Sequence, residues 1–277
     1  TDATASVNAA SVLEAAGADA VDISDNPTAR LRMSSVAVAH LIMRATRLAT
    51  ILHLTCRDRN LLGLQSELLG AAALGVTGIL PLTGDPSNVG DFPKATSVFD
   101  VTSAGLTEIV RSLNHGNDHA GNDIGAATHF RIGVAVNPAA VNLAAELAKF
   151  EEKVAAGADF AMTQPIFDVD AIAPFLHSAA RFKVPILVGV LLLRSHRNAE
   201  FLHNEVPGMN VPQTVRERMR LAPDGRAEGI KMAAELLVQL SGTRGVAGAY
   251  IIPQEQYEEA AQAMTQARRA FAAAVQA

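Results

Sequence analysis

Tryptophan is absent, cysteine occurs once, and aromatic residues make up only 4% of the 277 residues. The single Cys56 excludes an internal disulfide and any metal site built from several cysteines. Charge is scarce too: 18% of residues are charged and the net charge is −5. That balance argues against a general nucleic-acid binder but permits a local anion site. Long apolar runs are missing; a stretch such as Val184 to Leu193 is too short to span a bilayer, so no membrane partner is expected. There is no signal-peptide pattern, which points to the cytoplasm, and the chain begins at Thr1 rather than Met, so an upstream segment is expected. What the chain has in quantity is apolar residues, 49%, which excludes a disordered chain. Alanine alone accounts for 51 positions, so helices are expected to pack closely through small side chains. The length could hold two domains, but β/α barrels commonly run to about 200–250 residues as one.

One unit recurs. An Ala-rich helical stretch, a glycine, one or two small residues and a short apolar run occur around Gly17, Gly75, Gly157 and Gly245. Glycine just past a helix can take the left-handed conformation that closes the last turn. The apolar run after it reads as a strand buried on both faces, as in a parallel sheet covered by helices. Seven strands are predicted, at about 19–24, 50–55, 77–83, 130–136, 159–163, 185–191 and 247–252. Helical patterns separate them at 62–74, 103–113, 143–156, 171–180 and 227–240, with a shorter one at 212–221. Strands alternating with helices imply β/α units and a parallel sheet.

The first element, a helix from Thr4 to Ala16, has no strand before it. A closed parallel barrel has eight strands. The prediction is therefore an α/β fold, a (β/α)8 TIM barrel filling residues 1–277 as one domain, with its first strand upstream of Thr1. The alternative is an open doubly wound sheet, disfavoured because no Gly-x-Gly-x-x-Gly follows a strand.

In a barrel the active site lies at the C-terminal ends of the strands. The polar residues there include Ser24, Asp25 and Asn26; His53 and the run Thr55 to Asn60; Thr83, Gly84 and Asp85; Asn137; Thr163 and Gln164; Arg194, Ser195 and His196; and Gln254. Each also has a plainer reading. Thr83-Gly84-Asp85-Pro86 could be a simple turn, although an Asp at a strand end is also where a ligand-orienting carboxylate belongs. His53 could be a hydrogen-bonded core residue, and Cys56 inert packing. Asp58 between Arg57 and Arg59 reads as a surface ion-pair cluster. Gln164 has no acid–base capacity but can hold an amide-bearing ligand or bridge loops. Lys149 and Lys153, four apart after Glu146, are either an ordinary charged helix face or an anchor for a phosphate-bearing cofactor. His115, His119 and His129 lack a recognised ligand spacing, so no metal is expected.

Four strings, in order and each at a predicted strand end, resemble the methylenetetrahydrofolate reductase family. They are Val21-Asp22-Ile23-Ser24-Asp25-Asn26-Pro27, His53-Leu54-Thr55-Cys56-Arg57-Asp58-Arg59-Asn60, Leu82-Thr83-Gly84-Asp85-Pro86 and Thr163-Gln164-Pro165-Ile166-Phe167-Asp168. The resemblance runs from about Ala15 to about Tyr257 and is strongest to the form fused behind a homocysteine methyltransferase domain. It implies a barrel that binds FAD, is reduced by NADH or NADPH, and passes hydride to 5,10-methylenetetrahydrofolate in a ping-pong reaction, giving 5-methyltetrahydrofolate. It implies a soluble homo-oligomer or a fusion protein serving methionine biosynthesis. Residue by residue, Asp85 matches the carboxylate that orients the folate, and Gln164 the amide that contacts pterin or nicotinamide. His53, Thr83 and Gly84 match flavin-contact positions, Ser24 a position beside the nicotinamide, and Asn137, Lys149 and Lys153 positions around the cofactor chain and phosphates.

The chain departs from the family in four places. The family's catalytic Glu ends the first strand, which is expected upstream. Thr83 stands where an Arg commonly precedes the Gly-Asp pair, Gln254 where an Arg anchors the folate tail, and Asn137 where a Tyr sits in the flavin site. Two alternatives follow: a flavin- or folate-binding homologue that does no catalysis, and a different TIM-barrel enzyme.

Overall fold

Short apolar segments, four of which follow glycine turns, become parallel strands, and the Ala- and Leu-rich segments between them become helices. In the computed structural model, residues 2–206 and 208–276 are described, with side chains to residue 271. The elements are α1 (Thr4–Ala15), β1 (Ala20–Ile23), α2 (Ser35–Ala45), β2 (Ala49–Thr55), α3 (Leu61–Ala73), β3 (Gly78–Leu82), α4 (Ser103–Asn114) and β4 (Arg131–Val136). There follow α5 (Leu143–Ala156), β5 (Phe160–Ile166), α6 (Ala173–Ala179), β6 (Ile186–Leu191), α7 (His196–Glu205), α8 (Gln213–Leu221), α9 (Gly225–Ser241), β7 (Gly248–Ile252) and α10 (Tyr257–Gln276). The sheet takes the strands in chain order, β1 to β7. This is a TIM-barrel-like β/α fold; a doubly wound sheet would reverse its strand order partway. All four glycines of the repeated joint have positive φ: 88° at Gly17, 89° at Gly75, 120° at Gly157 and 92° at Gly245.

The chain divides into two compact units. The first comprises Thr1–Glu14, Ala18–Ala135 and Lys149–Ala161. There β1 pairs with β2, β2 with β3 and β3 with β4, all parallel, with His53 opposite Leu80 and Thr55 opposite Leu82. Alternation along β2 sends Leu52 and Leu54 into a buried layer with Leu64 and Leu68 of α3 and Leu106, Ile109 and Leu113 of α4. Cys56, just past the strand, joins that layer. The intervening positions Ile51 and His53 are only partly buried.

The second unit comprises Ala15–Gly17, Val136–Ala148 and Met162–Ala277. There β6 and β7 run parallel, and α10 packs on α9. Buried Ala233 and Ala234 of α9 and Ala260 and Ala263 of α10 are the small side chains expected from composition. The helices α7 and α8 have their own apolar cluster, with Leu202, Val211, Val215 and Met219 against Leu191 and Leu193.

Three helices, α2, α7 and α10, lie outside the helical patterns read from the sequence. The α2 sequence is apolar and β-branched at its start, which reads equally well as a strand. The sequence reads the start of α7 as a strand-end loop, whereas Ser195 caps a helix there by accepting the Asn198 N–H at 3.1 Å. Strand β5 runs to Ile166, so Gln164 and Pro165 lie within it rather than after it. No helix among the described residues is long and apolar enough to cross a membrane.

Candidate functional site

The ends of β1, β2 and β3 are tied by two buried arginine centres. Asp25, immediately past β1, has a side chain only 2% exposed. Its Oδ2 accepts from the Thr55 N–H at 2.9 Å, the Thr55 hydroxyl at 3.0 Å and Arg59 Nη1 at 2.8 Å, and its Oδ1 accepts from Arg59 Nη2 at 3.3 Å. Burial works against the Arg59 charge, but Asp25, Glu67 and Asp58 outweigh it and hold its pKa above the ordinary value. The second centre is Arg57, whose side chain is 2% exposed. It donates twice to Asp58, at 2.7 Å each, and reaches the Asp85 carbonyl at 3.2 Å and the Asn26 carbonyl at 3.2 Å. Hydrogen bonding to Arg57 lowers the Asp58 pKa, and the same contact raises that of Arg57. The surface ion-pair cluster expected at residues 57–59 is therefore corrected: Asp58 is at the surface, whereas both guanidiniums turn inward to brace loops.

Above Arg57 lies the Thr83-Gly84-Asp85 corner. Gly84 has φ +90°, and a Cβ there would sit 2.9 Å from the Thr55 Cβ and 3.3 Å from the Arg57 Cβ. Gly84→Ala should therefore cost about 2–4 kcal/mol, combining left-handed strain with overpacking. Urea unfolding checks this, and a loss under about 1 kcal/mol would mean the corner shifts freely. Asp85 is exposed, and its Oδ2 accepts the Thr28 N–H at 2.8 Å. Oδ1 has no partner among the described residues. The loop that supplies Thr28 is strained: Asn26, Thr28 and Ala29 have φ of 44°, 54° and 53°. It meets the segment after Asp85 again where the Asp91 N–H donates to the Ala29 carbonyl at 3.3 Å.

His53 and Asp22 form the other polar feature of this unit. Their closest atoms, His53 Nε2 and Asp22 Oδ2, are 3.1 Å apart. The approach lacks hydrogen-bond alignment, so the buried Nε2 has no hydrogen-bond partner. The expectation of a hydrogen-bonded core histidine is thus corrected. Asp22 was missed, yet the signal was available: Val21 and Ile23 pack with the helices, which leaves Asp22 on the opposite face. Ser24 and Thr83 are exposed. Cys56 is fully buried, and burial pushes its thiol up to about 11, so it is inert. Lys149 is exposed, while Lys153 Nζ donates to the Ala135 carbonyl at 2.6 Å.

In the second unit, Gln164 is exposed and its amide has no partner among the described residues. Its neighbour Thr163 is buried and binds β6, accepting the Gly189 N–H on Oγ1 at 3.0 Å, while its carbonyl accepts the Tyr250 hydroxyl from β7. The Asn137 N–H donates to Glu146 Oε1 at 2.7 Å, and its Oδ1 accepts the Ala139 N–H at 3.1 Å. Gln254 is engaged internally: Nε2 donates to the Leu192 carbonyl at 3.0 Å and Oε1 accepts from Asn198 Nδ2 at 3.2 Å. Asp85, His53, Thr83, Gly84 and Ser24 thus belong to the first unit, with Lys149 and Lys153, whereas Gln164 and Asn137 belong to the second.

The family profile described as methylenetetrahydrofolate reductase matches residues 3–264. Methylenetetrahydrofolate reductase 1 of Schizosaccharomyces pombe is 26% identical over 211 residues, covering 73% of this chain and 32% of that protein. A probable methylenetetrahydrofolate reductase (NADPH) of Caenorhabditis elegans is 24% identical over 188 residues, covering 66% and 26%. The chain spans about a third or less of the length of these relatives. Among solved structures, an uncharacterized protein from Clostridium thermocellum, described as binding two copies of 5-methyl-5,6,7,8-tetrahydrofolic acid, has a TM-score of 0.61 at 11% identity, covering 95% of this chain and 88% of that one. EDTA monooxygenase from Chelativorans sp. BNC1 has a TM-score of 0.57 at 12% identity, covering 97% and 87%. At these identities the structural likeness speaks for the fold alone.

Proposed function

The chain belongs to the methylenetetrahydrofolate reductase family, and from that premise we propose that it reduces 5,10-methylenetetrahydrofolate to 5-methyltetrahydrofolate, consuming NADH or NADPH and one proton, with FAD as its resident cofactor. The observation that carries the reading is Asp85. One carboxylate oxygen is fixed by the Thr28 N–H at 2.8 Å and the other is open to a ligand. A carboxylate held this way offers a directed acceptor to paired N–H donors such as those of a pterin.

The residues present fit FAD. The buried Nε2 of His53 has no aligned hydrogen-bond partner, with Asp22 Oδ2 3.1 Å away, and leaves a polar atom for a ligand to engage. The backbone at Gly84 can be approached closely because it carries no side chain. In this reading His53, Thr83 and Gly84 hold the flavin ring, Ser24 lies beside the nicotinamide, and Asn137, Lys149 and Lys153 serve the cofactor chain and phosphates. Bound FAD would supply the two-electron relay between reductant and folate. Asp85 orients the folate, and the Gln164 amide contacts pterin or nicotinamide. The same proposal places the protein in the cytoplasm, as a homo-oligomer or fused to a methyltransferase domain.

The test is spectroscopic. The purified chain is incubated with FAD, desalted, and titrated anaerobically with NADH and with NADPH. A bound flavin spectrum that bleaches with either reductant and returns on adding methylenetetrahydrofolate is the expected result. Failure to retain flavin would overturn the proposal. Bleaching without reoxidation by the folate would favour the non-catalytic homologue.

A further inference from the structure

Past β6, the second unit has a concentration of positive charge to which the proposed function assigns no role. A cavity of about 630 Å³ opens there, with Arg194, Arg197, Arg220 and Arg226 in its lining. In a chain of net charge −5 this is a local reversal of sign. Two of the four guanidiniums have acidic partners. Arg220 is paired with Glu217 at 2.6 Å, and Arg226 lies 3.5 Å from Glu259. Arg194 and Arg197 have none among the described residues. The acid in the lining, Asp224, is engaged as the cap of α9, accepting the Arg226 and Ala227 N–H groups at 2.9 and 3.1 Å. Nearby Glu200 is held by Arg216 at 3.0 Å.

The rim is set by backbone packing. Gly225 and Gly229, one turn apart on α9, face the segment 193–195. A Cβ on Gly225 would lie 3.1 Å from the Arg194 carbonyl oxygen, and one on Gly229 would lie 1.8 Å from that of Leu193. Without side chains there, the first turn of α9 lies directly on the Arg194 backbone and brings Arg226 to the same rim. The Arg194 N–H donates to Asn198 Oδ1 at 3.3 Å, and Asn198 is in turn fixed to Gln254.

We propose that this cavity binds a polyoxyanion, a ligand with two or more phosphate or carboxylate groups. Guanidinium forks match either group bidentately, and several cations at one rim favour a ligand with more than one charge. Within the reductase reading the chemistry has two sources, the phosphates of a dinucleotide and the carboxylates of a glutamyl chain. The site itself stands on its lining and does not depend on that reading.

Calorimetric titration of the flavin-free full chain tests it, using inorganic pyrophosphate in one arm and γ-linked triglutamate in the other. Saturable binding of at least one probe is expected, weakened by high salt and at least tenfold weaker in Arg194→Gln/Arg197→Gln, with Arg269→Gln on α10 as an unaffected control. Whichever probe binds more tightly identifies the source. Arg197→Glu is the second variant. It places an acid in the first turn of α7, where the helix tolerates it, so folding is retained and binding should still fall at least tenfold. No saturable binding of either probe, or undiminished binding in folded Arg197→Glu, overturns the proposal. Neither outcome depends on flavin reduction, so this test and that of the reductase fail separately.

Discussion

In the proposed reaction, Asp85→Asn should slow reduction of methylenetetrahydrofolate about a hundredfold, while reduction of bound flavin by NAD(P)H stays within about threefold. The amide oxygen of Asn can still accept the Thr28 N–H, so the strained loop keeps its fastening. What is lost is the charge on the open oxygen. A hydrogen bond to an ionised acceptor contributes about 1.5–3 kcal/mol, and a hundredfold is about 2.7 kcal/mol. Stopped-flow measurement of the two half-reactions separates the effects. Unchanged rates in both half-reactions would make Asp85 a turn residue, the plainer sequence reading. Loss of both together would mean the substitution disturbs the flavin site as a whole.

Asp25→Ala should destabilise the fold by about 3–5 kcal/mol, the range for removing one partner of a buried ion pair. The change leaves the Arg59 guanidinium, 18% exposed, without its main counter-charge, and leaves the Thr55 N–H and hydroxyl without their acceptor. Urea unfolding with an unchanged m-value is the measurement. The double variant Asp25→Ala/Arg59→Met should recover much of the loss, because it removes the stranded charge. A single-variant effect below about 1 kcal/mol would mean that water reaches Arg59 and that the pair is effectively exposed.

The strand ladder was legible in the sequence because its signals are local. The glycine joints at Gly17, Gly75, Gly157 and Gly245 announce a backbone conformation that few other residues adopt, and apolar runs follow at fixed distance. Predicted strand-end position together with the family resemblance drew attention to Asp85 and Gln164, although Gln164 lies within β5. The roles of Asp25, Arg57 and Arg59 were not legible, since they depend on contacts 28 to 34 residues away along the chain. A charged run of the form Arg-Asp-Arg looks solvated until its partners are known. His53 shows the same limit from the other side: a histidine inside Ile51-Leu52-His53-Leu54 looks like core, yet alternation along the strand turns it away from the helix layer. Helix α7 was obscured because its sequence is polar, so its stability must come from the Ser195 cap and from packing by Ala199 and Leu202.

The Arg57 guanidinium also bears on how this chain can change by descent. It holds the carbonyl of Asn26 in one loop and that of Asp85 in another, from a residue belonging to neither. An insertion or deletion that moves either carbonyl by a few ångströms strands a buried cation. The two loops are therefore constrained to vary as one inherited unit. Length changes should be excluded at residues 26 and 85 and tolerated farther out, in segments whose backbone Arg57 does not touch.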